Sequence, residues 1–155
     1  VEGEFSGAAI RAVLAAVDRQ GIKAARAGLI GTADAVVKQA KINASNGRHA
    51  YGTPTPASPG QGPAVISGTL RDSIVRTAVI RAAYGWETKV GLRPGQVPPY
   101  RRRGRTESSK YGLYLETGLK NGTTYPFLRP ATQLASIQAS VAFGRAFTAG
   151  WGSFD

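Results

Sequence analysis

The sequence predicts an α+β fold: a long N-terminal helix and a C-terminal helix packed on a small antiparallel sheet, with an extended Pro/Gly arm and a basic loop projecting from it. Three observations lead there. Between residues 6 and 44, apolar residues recur at steps of three, four or seven, the spacing of one helix face. Trp86, Thr88, Val90 and Leu92 alternate with Glu87, Lys89 and Gly91, the period of a half-buried strand. After Pro130, two apolar stripes at helical spacing close the chain. At 155 residues the chain corresponds to one domain (1–155).

The first helix carries Ile10, Val13, Leu14, Val17, Ile22, Ala25, Leu29, Val36, Val37 and Ala40 on its apolar side. Ser6 is a candidate N-cap, because its hydroxyl can accept from a free backbone N–H. Arg11, Arg19, Lys23, Arg26 and Lys38 suit the outer face, and Lys41 suits the negative end of the helix dipole. Gly21, Gly28 and Gly31 each cost about 1 kcal/mol relative to alanine in a helix. The spacing of Gly28, Ala24 and Ala25 fits a close approach of another helix, and a bend or break near Gly28–Gly31 fits equally. Asn43, Asn46 and Gly47 end the helix.

Residues 50–68 hold Pro54, Pro56, Pro59 and Pro63 with Gly52, Gly60, Gly62 and Gly68, and no charge separates Arg48 from Arg71. This composition reads as a loop or extended arm with no packed element. Its length is unusual inside a compact domain and points to a function or to disorder. Residues 69–92 form the hairpin region. The strands are 74–82 and 86–92, with Tyr84-Gly85 at the turn.

The segment 93–110 interrupts the pattern with a basic insert, crowding Arg101, Arg102, Arg103 and Arg105 beside Tyr100. Residues 111–155 hold the remaining elements. A short helix over 110–117 turns Tyr111, Leu115 and, as a third, Tyr114 inward, with Gly118 just past its end. Asn121-Gly122 marks a turn, 124–128 is extended, and Pro130 suits the first position of the closing helix. In that helix Leu134, Ile137 and Val141 form one stripe, and Phe143, Phe147 and Trp151 a second. The aromatic residues of the last third read as core, with an interface as the other reading.

The formal net charge is +11, and residues 51–110 alone contribute +7 of it. Such a chain repels itself and attracts polyanions or acidic protein surfaces. Zero cysteines exclude disulfides and thiolate chemistry, and a single histidine excludes a His-pair zinc site. The longest aliphatic run, Ala12–Val17, is far short of a membrane span. The acidic start (Glu2, Glu4) lacks the basic region of a signal peptide.

No catalytic constellation stands out. His49 lies beside the Pro/Gly segment with no motif around it; an exposed loop histidine is the plainer reading, a general base the sharper one. The carboxylates are scattered, and neither G-x-x-x-x-G-K-[ST] nor G-x-G-x-x-G occurs. No cofactor is expected. The arginine cluster suits phosphate oxygens, because guanidinium forks match them. It lacks the helical spacing of a groove-reading face, so any DNA contact is expected to ignore sequence. A solvated loop, or one docked on an acidic neighbour, is the competing reading.

Three segments together carry a resemblance. Ser67-Gly68-Thr69-Leu70-Arg71-Asp72-Ser73-Ile74 resembles a G-x-L-x-x-S-I lead into a strand. Tyr111-Gly112-Leu113-Tyr114-Leu115-Glu116-Thr117-Gly118 resembles a Y-x-x-Y-L-E-x-G helix end. Tyr125-Pro126-Phe127-Leu128-Arg129-Pro130-Ala131 resembles an R-P-F-L-x-P-A lead into a last helix. In this order the set, over about 65–142, is similar to the small head–tail joining proteins of long-tailed bacteriophages (neck, minor tail or tail-completion proteins). Tyr125 stands where the family commonly has an arginine, and the insert at 93–110 is longer and more basic than the family pattern.

The resemblance implies a structural virion protein, not an enzyme, in a homo-oligomeric ring of sixfold or twelvefold order around the DNA path. It would be assembled in the bacterial host cytoplasm and located at the head–tail junction. Its partners would be further copies of itself, the head connector and tail proteins, with a possible DNA phosphate contact and no membrane. The residues expected to hold the motifs are Gly68, Leu70, Ser73, Tyr111, Tyr114, Leu115, Glu116, Gly118, Pro126, Phe127 and Pro130, with Glu116 free to cap a helix or to pair with an arginine. A small basic nucleic-acid-binding domain is the alternative, and a phage nuclease or hydrolase the third.

Overall fold

A computed structural model of the chain describes residues 7–96 and 108–151. Ser6, the expected N-cap, lies outside the described residues. The first helix, α1 (Gly7–Asn43), runs unbroken for 37 residues, about 55 Å. The last, α4 (Leu128–Trp151), lies antiparallel along about the last two-thirds of it. Gln20 Nε2 donates to the Gly150 carbonyl at 2.8 Å near one end. Asn43 Nδ2 donates to the Phe127 carbonyl at 3.1 Å at the other.

The glycines of α1 mark the approach and do not break the helix. A Cβ on Gly28 would stand 2.5 Å from the Phe143 ring, and one on Gly31 2.9 Å from the Ala146 methyl. From the other side, a Cβ on Gly150 would meet the Ala24 Cα at 3.1 Å. The helical propensity lost at these positions is offset by contact between the two backbones.

The core gathers at the C-terminal end of α1. Val36, Ala40 and Ala44 meet Ile74, Leu115, Phe127, Ala131 and Ala135, and all are buried. Small residues on the two long helices leave room for large ones from the shorter elements. Full burial of a side chain such as Ile74 or Phe127 is worth about 1.5–3 kcal/mol.

The hairpin region opens with a helical turn that its sequence did not foretell, α2 (Thr69–Ser73). The expected long strands are four short ones: β1 (Ile74–Arg76), β2 (Ile80–Ala82), β3 (Gly85–Glu87) and β4 (Val90–Leu92). β1 pairs antiparallel with β4, Ile74 opposite Leu92, and β2 pairs with β3, Arg81 opposite Trp86. Threonine divides the ladder. Thr77 N–H still donates to the Lys89 carbonyl at 2.8 Å, but Lys89 N–H donates to the Thr77 hydroxyl at 3.0 Å and the Thr88 hydroxyl to the Thr77 carbonyl at 2.9 Å, so side chains take over part of the strand bonding between the two halves. α1 lies against β1 and β4.

Residues 50–68 correct the expectation of a projecting arm. The segment folds back on the end of α1. Asn46 N–H donates to the Pro63 carbonyl, Val65 N–H to Gly47, His49 N–H to Val65 and Gly60 N–H to Thr124, at 2.9–3.1 Å. Ala57 and Val65 are buried, and Gly62 is pressed against the Asn43 carbonyl. The segment is tethered at these points while residues 50–56 and 58–61 between them stay exposed.

The short helix, α3 (Ser108–Thr117), ends as expected at Gly118, whose φ is 131° and whose N–H donates to the Tyr114 carbonyl at 2.8 Å. Pro130 is the third residue of α4, not the first. It still falls in the first turn, where a missing N–H breaks no helical bond. Among the described residues, no helix is long and apolar enough to cross a membrane.

Candidate interaction surface

The three resemblance segments, far apart in sequence, meet at one node. Gly68 precedes α2 with φ 85°, a conformation that side chains resist, and its carbonyl accepts from Asp72 N–H. Ser73 is buried and its hydroxyl donates to the Leu70 carbonyl at 2.6 Å, while its own carbonyl accepts from Arg93 N–H. Leu70 then packs beside Leu115 and Phe127.

Glu116 closes the node. Its Oε1 accepts from the backbone N–H of Phe127 at 2.7 Å and of Leu128 at 2.5 Å. Of the two roles open to it, the structure therefore has the cap: a carboxylate satisfies free donors at the positive end of α4. Tyr125 N–H donates to the Leu115 carbonyl at 2.7 Å, so Pro126 delivers Phe127 straight into the core.

Two tyrosines depart from the expectation. Tyr114 stands on the outer face of α3, 49% exposed, and Tyr111 sits at its edge. The residue turned inward beside Leu115 is Gly112, where a Cβ would collide with the Leu92 side chain and crowd Leu70 and Phe127. β4 comes so near α3 that only glycine fits. Tyr111 instead lines a cavity of about 150 Å³ with His49, Pro63, Ile66, Leu115 and Tyr125. His49 is half-buried there, its Nδ1 3.1 Å from the Thr53 carbonyl.

Tyr100, Arg101, Arg102, Arg103 and Arg105, the candidate phosphate or partner contacts, lie outside the described residues. A second basic face, missed in the sequence, is described. The Arg26 guanidinium of α1 stacks 4.8 Å over the Trp86 ring, and Arg81 stands opposite Trp86 in the β2–β3 pair. A strand tryptophan gives no local sign of which helix cation will cover it. Asp34, Asp72 and Glu87 are spent in ion pairs with Arg76, Arg71 and Lys89. Among the described residues, no cluster of histidine and carboxylates could hold a metal ion.

The most extensive apolar exposure is on the long helices. Val13, Leu14 and Val17 of α1 are 42–63% exposed, and Leu134, Ile137 and Val141 of α4 are 40–77% exposed. The second α4 stripe behaves differently: Phe143 packs on Gly28 and Trp151 beside Gly21, with Phe147 stacked between their rings at 5.7 and 5.8 Å. Exposed apolar side chains lined up along one helix face in this way are candidates for an interaction site. The run Ala12–Val17 was its signal in the sequence, since its valines and leucine share one helix face. A comparison of the chain with protein-family models, curated proteins and solved structures found no match.

Proposed function

We propose that the chain is a structural protein of a long-tailed bacteriophage virion, one subunit of a homo-oligomeric ring at the head–tail junction that encloses the DNA path. It makes and breaks no covalent bond. The observation that carries the reading is the convergence of the three resemblance segments on the Glu116–Phe127 node. Segments brought together in this way act as one structural unit, which is what a resemblance confined to ordered motifs requires. The apolar stripes support assembly, because a ring needs two different exposed faces on each subunit. The head connector and tail proteins are its proposed neighbours, and the net charge of +11 suits a wall near DNA phosphates.

Electron microscopy of virions tests this directly. Density for this chain at the neck is expected, and its absence there would remove the proposal.

One observation favours a second reading, a sequence-independent nucleic-acid-binding domain. The Arg26, Trp86 and Arg81 group offers cations beside an aromatic ring, and the arginines at 101–105 add more. That reading expects steeply salt-dependent duplex binding that weakens when Arg101, Arg102, Arg103 and Arg105 become alanine. Binding unchanged in that variant would end it.

A further inference from the structure

We propose that the first three turns of α1 in one copy lie along the exposed stripe of α4 in the next copy, head to tail. The inference rests on the proposed ring and names the contact that would build it.

The face of α1 that receives α4 within the chain steps through Gly31, Gly28, Ala24 and Gly21. Continued at the same steps of three and four, it passes through Val17, Leu14 and Val13. The described part of α4 reaches its end beside Gln20 and Gly21, and beyond that point this face is open. Among the described residues, the stripe is therefore an unpartnered continuation of a helix–helix seam. On α4, Ile137 and Val141 lie away from the buried Ala131 and Ala135, with Leu134 at the border, so this stripe flanks the helix face that packs in the core.

Two features point to a second copy as the occupant. The seam already accepts an antiparallel α4 along this face of α1, and a neighbour supplies the same kind of element. The stretches 12–17 and 131–144 contain no ionisable residue. Copies carrying +11 each can meet there without placing like charges side by side. Two different patches in contact make a heterologous interface, the type that closes rings.

The chain has no cysteine, so introduced thiols report the contact cleanly. Leu14→Cys and Ile137→Cys are made singly and together in the full chain, and joined by mild oxidation or a short bis-maleimide. Mixing the two single variants is expected to give a dimer linked between positions 14 and 137, identified by peptide mass spectrometry. The double variant is expected to give a ladder of higher oligomers. No mixed dimer, or a dimer formed as readily by Leu14→Cys alone, would overturn the proposal. So would protection of position 14 from thiol labelling that appears only with duplex DNA or an added tail protein and without a 14–137 link.

In a second arm, Leu14→Asp and Ile137→Asp are each expected to abolish the oligomer in sedimentation while leaving thermal unfolding unchanged. Oligomers that persist in both variants would likewise overturn it. A 14–137 link in a protein absent from the neck would sink the virion reading alone. Neck density in particles that carry both thiols and give no link would sink this inference alone.

Discussion

The α1–α4 pair is held in two different ways along its length. Toward the C-terminus of α1, alanines and Val36 leave space that Ile74, Leu115 and Phe127 fill completely. Toward the other end, Gly21, Gly28 and Gly31 bring the backbones together, and the ring stack of Phe143, Phe147 and Trp151 covers the seam from one side while staying half-open. Large buried side chains supply stability at the first end. Close backbone contact buries less apolar area, and the apolar side chains left over at the second end face outward. Outward-facing apolar side chains flank both ends: Val13, Leu14 and Val17 beyond the glycine end, and Leu134 and Ile137 on α4 beside the anchored one.

The largest effect that sharpens this contrast is expected at the anchored end. Phe127→Ala removes a fully buried ring and is expected to cost about 3–5 kcal/mol in denaturant unfolding. A loss under about 1 kcal/mol would show that this end is not the anchor.

The next test turns on sign. Gly28→Ala places a methyl against the Phe143 ring and is expected to destabilise by about 1–3 kcal/mol. Gly144→Ala on α4 meets no atom within 4 Å and is expected to stabilise, by about 0.5–1 kcal/mol. Thermal melts of the two variants should therefore move in opposite directions. Equal shifts would mean that the helices are not as close at Gly28 as at the seam described.

Glu116→Ala frees two N–H donors at the start of α4 and is expected to cost about 1–2 kcal/mol. Glu116→Gln keeps an acceptor without the charge and should lose less. Equal losses in the two variants would place the effect outside the hydrogen bonds.

The smallest effect is expected at Arg26→Ala, about 0.5–1 kcal/mol for a cation over an indole. Its clearer readout is Trp86 fluorescence, which should shift as the ring loses its cover. An unchanged spectrum would place Arg26 away from the ring in solution.

Much of the framework was legible residue by residue. The 3.6-residue period announced α1 and α4, the alternation from Trp86 to Leu92 announced the strands, and Gly118 announced the end of α3. These signals are local: each depends on the sterics and burial of one continuous segment. The fate of residues 50–68 was not legible, because the bonds that bind the segment back run from Pro63 to Asn46 and from Gly60 to Thr124. Proline and glycine report only that no regular element forms. Tyr114 was misplaced for a similar reason: the inward side of α3 is set by β4, which presses Leu92 onto Gly112.

What the sequence determined by itself is where the long helices α1 and α4 and the short α3 lie and that α4 carries two apolar stripes. Which stripe packs against α1 was decided only by the tertiary structure. Period alone ranks Leu134, Ile137 and Val141 equal to Phe143, Phe147 and Trp151. The choice falls to the second set because α1, more than a hundred residues earlier, presents glycines where those rings must pass, and a flat ring can lie against bare backbone.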